Sequence, residues 1–446
     1  MYTSYIGKKL LTLYNQRNNK NSSAKGFFDE VMFPLFFNDE RHLLHANNSP
    51  FFQKPTGAAI EKAGSKSLAQ LYKLHDDIVS QPPNMATFVG YAAKDLQGTT
   101  SGQLTSLDCN IDAEEMYDSW IGEAMAMGIS GGLALLIDEE EILWTLYRGW
   151  ERYRKYLKQT PNVKDKQIQT WNGHWLCYVY GLTKEAGPNS WPELNPKEQL
   201  GQLAIPTQDW VKVVFALSKK FPTRILTAYC YNFSQTNTTV GFVNLYLPDV
   251  RKLIDFRTKV FQYFDDETIR DKELETLYET YYSFKNAYSK LGSIGLKSLE
   301  PDKLREYMPY PYGRGDDFKF KDTNSYVQYQ LFKTWIYAML SNKAELNRLA
   351  EQVATALLDF EKKNTEKNQN RGTTGISQLS KTLQESKNYN KFVENMTAII
   401  EKDNTTATLF KEIKDAVLPV PSDLFPLFIT LIRFEYQYQK SVQPKA

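Results

Sequence analysis

Residues Arg224–Leu247 read R-I-L-T-A-Y-C-Y-N-F-S-Q-T-N-T-T-V-G-F-V-N-L-Y-L. Ile225–Tyr231 and Val240–Leu247 alternate apolar and polar side chains with the two-residue period of half-buried strands. The segment between them turns the chain back, so the stretch predicts an antiparallel hairpin. Its tip, Asn232–Phe242, carries no charge. Amides and hydroxyls both donate and accept hydrogen bonds, which suits a base edge, a sugar or a phosphate; a plain turn is the simpler reading. Gln235 and Asn237 supply the amides, and Thr236, Thr238 and Thr239 the hydroxyls.

Outward from this hairpin the patterns are mostly helical. Tyr5–Tyr14 and Ser67–Val79 are short helical patterns, the second with Leu68, Leu71, His75, Ile78 and Val79 on one face. Phe27–Phe37 is a dense aromatic run interrupted by Pro34. Met116–Met127 reads as a helix, and G-I-S-G-G (Gly128–Gly132) breaks it before a buried strand at Leu133–Ile137. Ile142–Leu157 is amphipathic, with Ile142, Leu146, Trp150, Tyr153 and Leu157 on one stripe and Arg148, Arg152, Arg154 and Lys155 elsewhere. Asp265–Leu291 returns to helix. After Tyr326 almost everything is helical: Ala344–Lys363, Tyr389–Ile400, Leu409–Val417 and Leu424–Tyr438, the last with Pro426 in its first turn. The polar stretch Asn364–Gly375 is a connection. The expectation is an α+β chain: residues 1–311 mixed and mainly helical with a small antiparallel sheet and a sub-boundary near 100, a linker at 312–325, and a bundle of four or five helices at 326–446.

The chain has 446 residues, enough for more than one core, and a net charge of +2. That balance excludes a uniformly basic nucleic-acid glue but not local basic patches. Aromatic residues make up 14%, enough to serve both packing and base stacking. Cys109, Cys177 and Cys230 lack paired spacing, which suits reduced thiols in the cytoplasm. The most apolar late stretch, Leu424–Ile432, is too short to span a bilayer, and no secretory signal opens the chain.

Catalytic patterns are sparse. His42, His45 and the His75-Asp76 pair resemble parts of an HD-type metal phosphohydrolase, whose His and carboxylate ligands hold a divalent cation. However, His75 lies on the apolar stripe of its helix, where a hydrogen-bonded core histidine is the simpler reading. G-I-S-G-G lacks the lysine of a phosphate loop. Asp138–Glu141 lacks the Glu-x-Lys of restriction-type nucleases, and no nucleophile elbow is present. Binding patterns are richer. T-W-N-G-H-W (Thr170–Trp175) follows the arginine-bearing helix, and either its tryptophans stack on bases or they fill the core. Tyr307–Tyr326 combines Pro, Gly and Tyr with Arg314, Lys319 and Lys321; it serves equally as linker or as nucleic-acid contact.

A-K-G-F-F-D-E-V-M-F-P-L-F-F (Ala24–Phe37), N-N-S-P-F-F-Q (Asn47–Gln53), I-L-W-T-L-Y-R-G-W-E-R-Y-R (Ile142–Arg154), T-W-N-G-H-W and S-Q-T-N-T-T-V-G-F (Ser234–Phe242) together give the chain a layout. It resembles the large subunit of a type I CRISPR Cascade complex, without the Cys-x-x-Cys pairs of one branch of that family. The resemblance implies a non-catalytic, cytoplasmic, RNA-guided defence subunit with no metal or cofactor. Such a subunit recognises the protospacer-adjacent motif on double-stranded target DNA, helps open the duplex and docks the helicase–nuclease. It also stabilises the displaced single strand beside the guide RNA and the other Cascade subunits. On that basis Asn232, Gln235, Asn237 and Thr238 are expected to read the motif or wedge the strands. Arg148, Arg152, Lys155, Arg314, Lys319 and Lys321 are expected on the DNA backbone, with Lys333, Lys343, Arg348 and Lys381 facing the displaced strand. The alternative is a metal-dependent nuclease or phosphohydrolase using His45, His75 and Asp76.

Overall fold

The computed structural model describes residues 1–45, 48–91, 104–106, 110–182, 184–260, 283–340, 344–367 and 374–442. They form an α+β, mainly helical chain of two compact units. The first comprises Met1–Pro248 with Tyr288–Ile294, the second Asp249–Ala287 with Gly295–Ala446.

The first unit is built on a five-stranded sheet: β1 (Met127–Ile129), β2 (Leu133–Ile137), β5 (Ile225–Asn232), β6 (Gln235–Tyr246) and β7 (Ser293–Ile294), in the order β1-β2-β5-β6-β7. All pairings are antiparallel except β6 with β7. A separate hairpin joins β3 (Lys197–Gln199) to β4 (Gln202–Ala204). Of G-I-S-G-G, Gly128 and Ile129 close β1 and Ser130–Gly132 form the turn to β2, with Gly131 and Gly132 at φ 96° and 74°, conformations that glycine reaches without steric cost. It leads from strand to strand, not from helix to strand as expected. The helix before it stops at Glu123, four residues short of Met127.

The helices of this unit are α1 (Tyr2–Asn18), α2 (Ala24–Phe27), α3 (Phe33–Phe36), α4 (Gly57–Ala63), α5 (Lys66–Ser80), α6 (Ala113–Glu123), α7 (Glu140–Gln159), α8 (Ile168–Gly181) and α9 (Trp210–Lys220). A π-turn at Phe28–Met32 links α2 to α3, and the amide of Phe33 bonds to the carbonyl of Phe28. This wide turn lets the helix continue through Pro34, whose missing N–H falls in the first turn of α3. Phe28, Phe37 and Phe51 stack on one another and meet Trp120 edge-on as the core of this region. Helices α1 and α6 cross in close contact at Gly7 and Gly122. A β-carbon on Gly7 would overlap the Asp118 carbonyl, and one on Gly122 the Thr3 carbonyl.

In the second unit, α10 (Leu247–Val260, whose first two residues belong to the first unit) and α11 (Phe284–Leu291, whose residues from Tyr288 on belong to the first unit) precede a short helix α12 (Leu304–Tyr307). The expected helix Asp265–Leu291 is seen only from Phe284; 261–282 lie outside the described residues. Then come α13 (Thr323–Met339), α14 (Ala344–Lys367), α15 (Thr374–Gln384), α16 (Tyr389–Ile400), α17 (Ala407–Val417) and α18 (Phe425–Val442). Helix α18 is buried all along Phe425–Tyr436 and packs chiefly on α14. Leu346, Leu349, Val353, Leu357 and Phe360 form the predicted stripe of α14, all buried.

Residues 312–325 are not a linker. Phe318 is buried among Tyr307, Phe332 and Phe434. The buried Arg433 donates to the carbonyls of Gly315 (2.5 Å) and Asp316 (2.9 Å). Leu296, before the expected bundle, accepts the indole N–H of Trp335 through its carbonyl at 2.9 Å. The second unit therefore begins well ahead of residue 312, because its core needs side chains and carbonyls from the segment taken for a spacer.

Candidate nucleic-acid interface

The hairpin tip is tighter than its sequence pattern suggests. β6 begins at Gln235, so the turn is only Phe233–Ser234, and the threonine-rich stretch joins the ladder as its β-propensity favours. Irregular register after Cys230 absorbs the extra residues on β6. The Asn232 carbonyl oxygen Oδ1 accepts the amides of Ser234 (2.8 Å) and Gln235 (3.2 Å), so this side chain shapes the turn rather than reaching out to read a base. Phe233 anchors the tip: its amide donates to the Gly132 carbonyl at 2.9 Å, and its ring covers Gly128, where an added β-carbon would stand 2.6 Å away. Gln235 is exposed, and Thr238 Oγ1 donates to its Oε1 at 3.2 Å. Asn237 belongs to β6 by its backbone; its side chain lies outside the described residues. The structure thus brings Gln235 and Thr238 together at the end of a braced sheet.

Five of the nine described candidate cations meet acids. Arg148 lies 3.6 Å from Glu185, and Lys381 3.8 Å from Glu385. Arg314 pairs with Glu306 and, at 3.7 Å, with Asp316. Arg348 pairs with Glu412 and, at 3.5 Å, with Glu345. Lys333 points inward: its side chain is 15% exposed, and its ammonium lies 2.5 Å from the buried carboxylate of Glu435 and 3.5 Å from Glu351. It closes an interior ion pair and does not face a displaced strand. Lys343 lies outside the described residues. Arg152, Lys155, Lys319 and Lys321 make no ion pair with another described residue; Lys155, Lys319 and Lys321 are exposed and Arg152 half-buried. Arg154, on the same helix as Arg148, turns into the core. It donates to the carbonyls of Leu35 (2.8 Å) and Arg41 (2.7 Å), and burial lowers its pKa.

T-W-N-G-H-W is core, not a stacking platform. Trp171 is fully buried and Trp175 nearly so, and Asn172 Nδ2 donates to the carbonyls of Ala124 and Ala126, both at 2.8 Å. His75 is likewise committed. Its Nδ1 lies 2.6 Å from the Tyr117 hydroxyl and its Nε2 3.0 Å from Asp29 Oδ1, while burial lowers its pKa and favours the neutral ring. Asp76 points to solvent on the neighbouring side of the helix. Among the described residues no three His, Cys, Asp or Glu side chains converge as metal ligands, so His45, His75 and Asp76 do not assemble an HD-type site.

Two features escaped the sequence reading. Leu200, in the β3–β4 turn at φ 53°, is almost entirely exposed. A set of aromatic rings from α1, β5 and β6 also lies at the surface: Tyr5, Phe242 and Tyr246 are each more than a third exposed. The alternation of Ile225–Tyr231 marked which residues face outward, but not that α1 would add Tyr2 and Tyr5 beside them. Among the described residues no helix is long and apolar enough to cross a membrane. Comparison of the chain with family models, with curated proteins and with solved structures gives no match.

Proposed function

We propose that the chain is a non-catalytic DNA-binding protein, the large subunit of a type I CRISPR Cascade complex. In this reading it recognises a short motif on duplex DNA, helps open the strands, holds the displaced strand and docks a helicase–nuclease in the cytoplasm. The observation that carries the reading is the hairpin tip. Gln235 and Thr238 stand at the end of a sheet whose turn is fixed by Asn232 and clamped by Phe233 on Gly128. Uncharged hydrogen-bonding groups on a rigid projection give selectivity, because a mismatched base leaves them unpaired. Affinity then falls to Arg152 and Lys155 on α7 and to Lys319 and Lys321 in the second unit. Arg148, Arg314, Lys333, Arg348 and Lys381 spend their charge on carboxylates.

The test is a competition between motif-bearing and scrambled duplexes. Gln235→Ala combined with Asn237→Ala is expected to reduce the preference for the motif about tenfold or more, at roughly 1–3 kcal/mol per lost base contact, while sparing nonspecific affinity. Equal losses on both duplexes would remove the tip from recognition.

A further inference from the structure

The β5–β6 pair has one buried face and one open face. Leu226, Ala228, Cys230, Val243 and Leu245 point into the core. On the other face the cross-strand pairs are Tyr229 with Phe242, Thr227 with Asn244, and Ile225 with Tyr246. Phe242 is 56% exposed, Ile225 55% and Tyr246 37%, and Tyr5 of α1 adds a ring that is 43% exposed. Tyr2 sits among them, half-buried. Its ring centroid lies 4.8 Å from Tyr229, 5.2 Å from Phe242 and 5.5 Å from Tyr5. The rings are therefore held in place before any ligand arrives, and stacking on them costs little further ordering.

We propose that this face is a stacking platform for the unpaired bases of a nucleic-acid strand. The inference rests on the nucleic-acid reading above and names the part of the ligand this face takes. Three observations select bases over a protein surface. The three cross-strand pairs of the open face hold rings, one hydrogen-bonded polar pair, Thr227 Oγ1 to Asn244 Oδ1 at 2.8 Å, and at one end the aliphatic Ile225. A sheet presenting aromatic rings in this way takes bases on the ring faces and their edges on the polar groups between. On β6 the rings of Phe242 and Tyr246 stand four residues apart, about 13 Å along the strand, with the Asn244 amide between them, so each ring is placed for a separate base with a polar group between. The platform is also continuous with the tip, since the same two strands end in the Asn232–Gln235 turn. A strand separated at the tip would meet these rings next.

The charge around the platform is nearly balanced. Lys9 lies 5.5 Å from the Tyr5 ring centroid and 3.7 Å from Asp138, whose Oδ2 also accepts from the Tyr5 hydroxyl at 2.5 Å. Arg224, beside Ile225, lies 2.7 Å from Glu139. Lys8 of α1 is exposed. Binding here is therefore driven by stacking and depends weakly on salt.

The experiment measures fluorescence anisotropy of labelled oligothymidylate and oligouridylate against the full chain, in parallel with duplex DNA. Phe242→Ala and Tyr5→Ala are expected to weaken single-strand binding about fivefold or more each. Phe242→Tyr should keep it, and ultraviolet crosslinks should map to β5, β6 or α1. The loss on single strands should exceed any loss on duplex. Oligomer binding that ignores both alanine variants, with melting temperatures unchanged, overturns the platform while leaving motif recognition standing. A dimer that dissolves on Phe242→Ala assigns the face to a second copy and overturns it too. Failure to bind any nucleic acid, duplex included, overturns both readings.

Discussion

Glu123 is wholly enclosed in the first unit, where Gln169 Nε2 and the Tyr231 hydroxyl each donate to its carboxylate at 2.9 Å. Burial outweighs those two bonds and pushes its pKa up to about 7; Asp118, buried nearby among Glu114, Asp112 and Glu115, is also pushed up to about 7. Both folded-state values lie above the unfolded ones, so their contribution to stability is complete below pH 4 and is lost as pH rises through 7. The first unit should therefore melt several degrees higher at pH 5.5 than at pH 8, and Glu123→Gln should flatten that dependence. A melting temperature that rises with pH across this range, unaltered in the variant, contradicts the assignment. Close packing gives a second residue-scale prediction. Gly122→Ala should destabilise by about 2–3 kcal/mol, because its methyl group overlaps the Thr3 carbonyl where α1 crosses α6; a denaturant midpoint equal to wild type would refute the crossing. Neither position stood out in the sequence. Lys333 shows why: one residue in a helix does not disclose that Glu435 and Glu351, far along the chain, will meet its ammonium. Charge type is legible, whereas charge partner is a property of the folded core. Arg154 differs from Arg148 only in its position around the same helix, and the Ile142–Leu157 stripe left it on a nominally polar side.

At the scale of elements, the long periodic patterns were readable because burial on one face imposes them. The helices at Glu140–Gln159 and Ala344–Lys367 and the β5–β6 pairing follow that rule. Short strands did not stand out. β1 and β7 have three and two residues and take their place from neighbours, not from a pattern of their own. The tip illustrates the same limit, since its clamp comes from Gly128 on another strand. Phe233→Ala should loosen the turn without unfolding the sheet. Amide exchange at Gln235 and Thr238 should accelerate by about tenfold, with β2 amides unchanged, in keeping with local opening. Uniform acceleration across the sheet would mean that Phe233 supports the core rather than the tip.

For the whole molecule, a mainly helical α+β chain was legible from the balance of periodicities, but the division into units was not. Tyr307–Tyr326 looks like a spacer because Pro, Gly and Tyr are frequent in it, yet Phe318 and the carbonyls of Gly315 and Asp316 complete the second unit. A fragment beginning at Gly295 should melt at a clearly higher temperature than one beginning at Tyr326, measured by circular dichroism; equal stability would restore the spacer. Pairing of five of the nine described candidate cations with carboxylates also bears on binding. With four candidate cations among the described residues left for phosphates, the affinity for duplex DNA should fall with a log–log salt slope of roughly −2 to −4, at about −0.9 per phosphate contact.

The most direct measurement incubates the purified chain with a duplex library randomised over a short window, with divalent metal chelated, and sequences what is retained. The expected result is enrichment of one short motif, recovery of uncut DNA, and loss of that enrichment in the Gln235→Ala, Asn237→Ala variant. Retention without any sequence preference, or metal-dependent cleavage of the library, would contradict it.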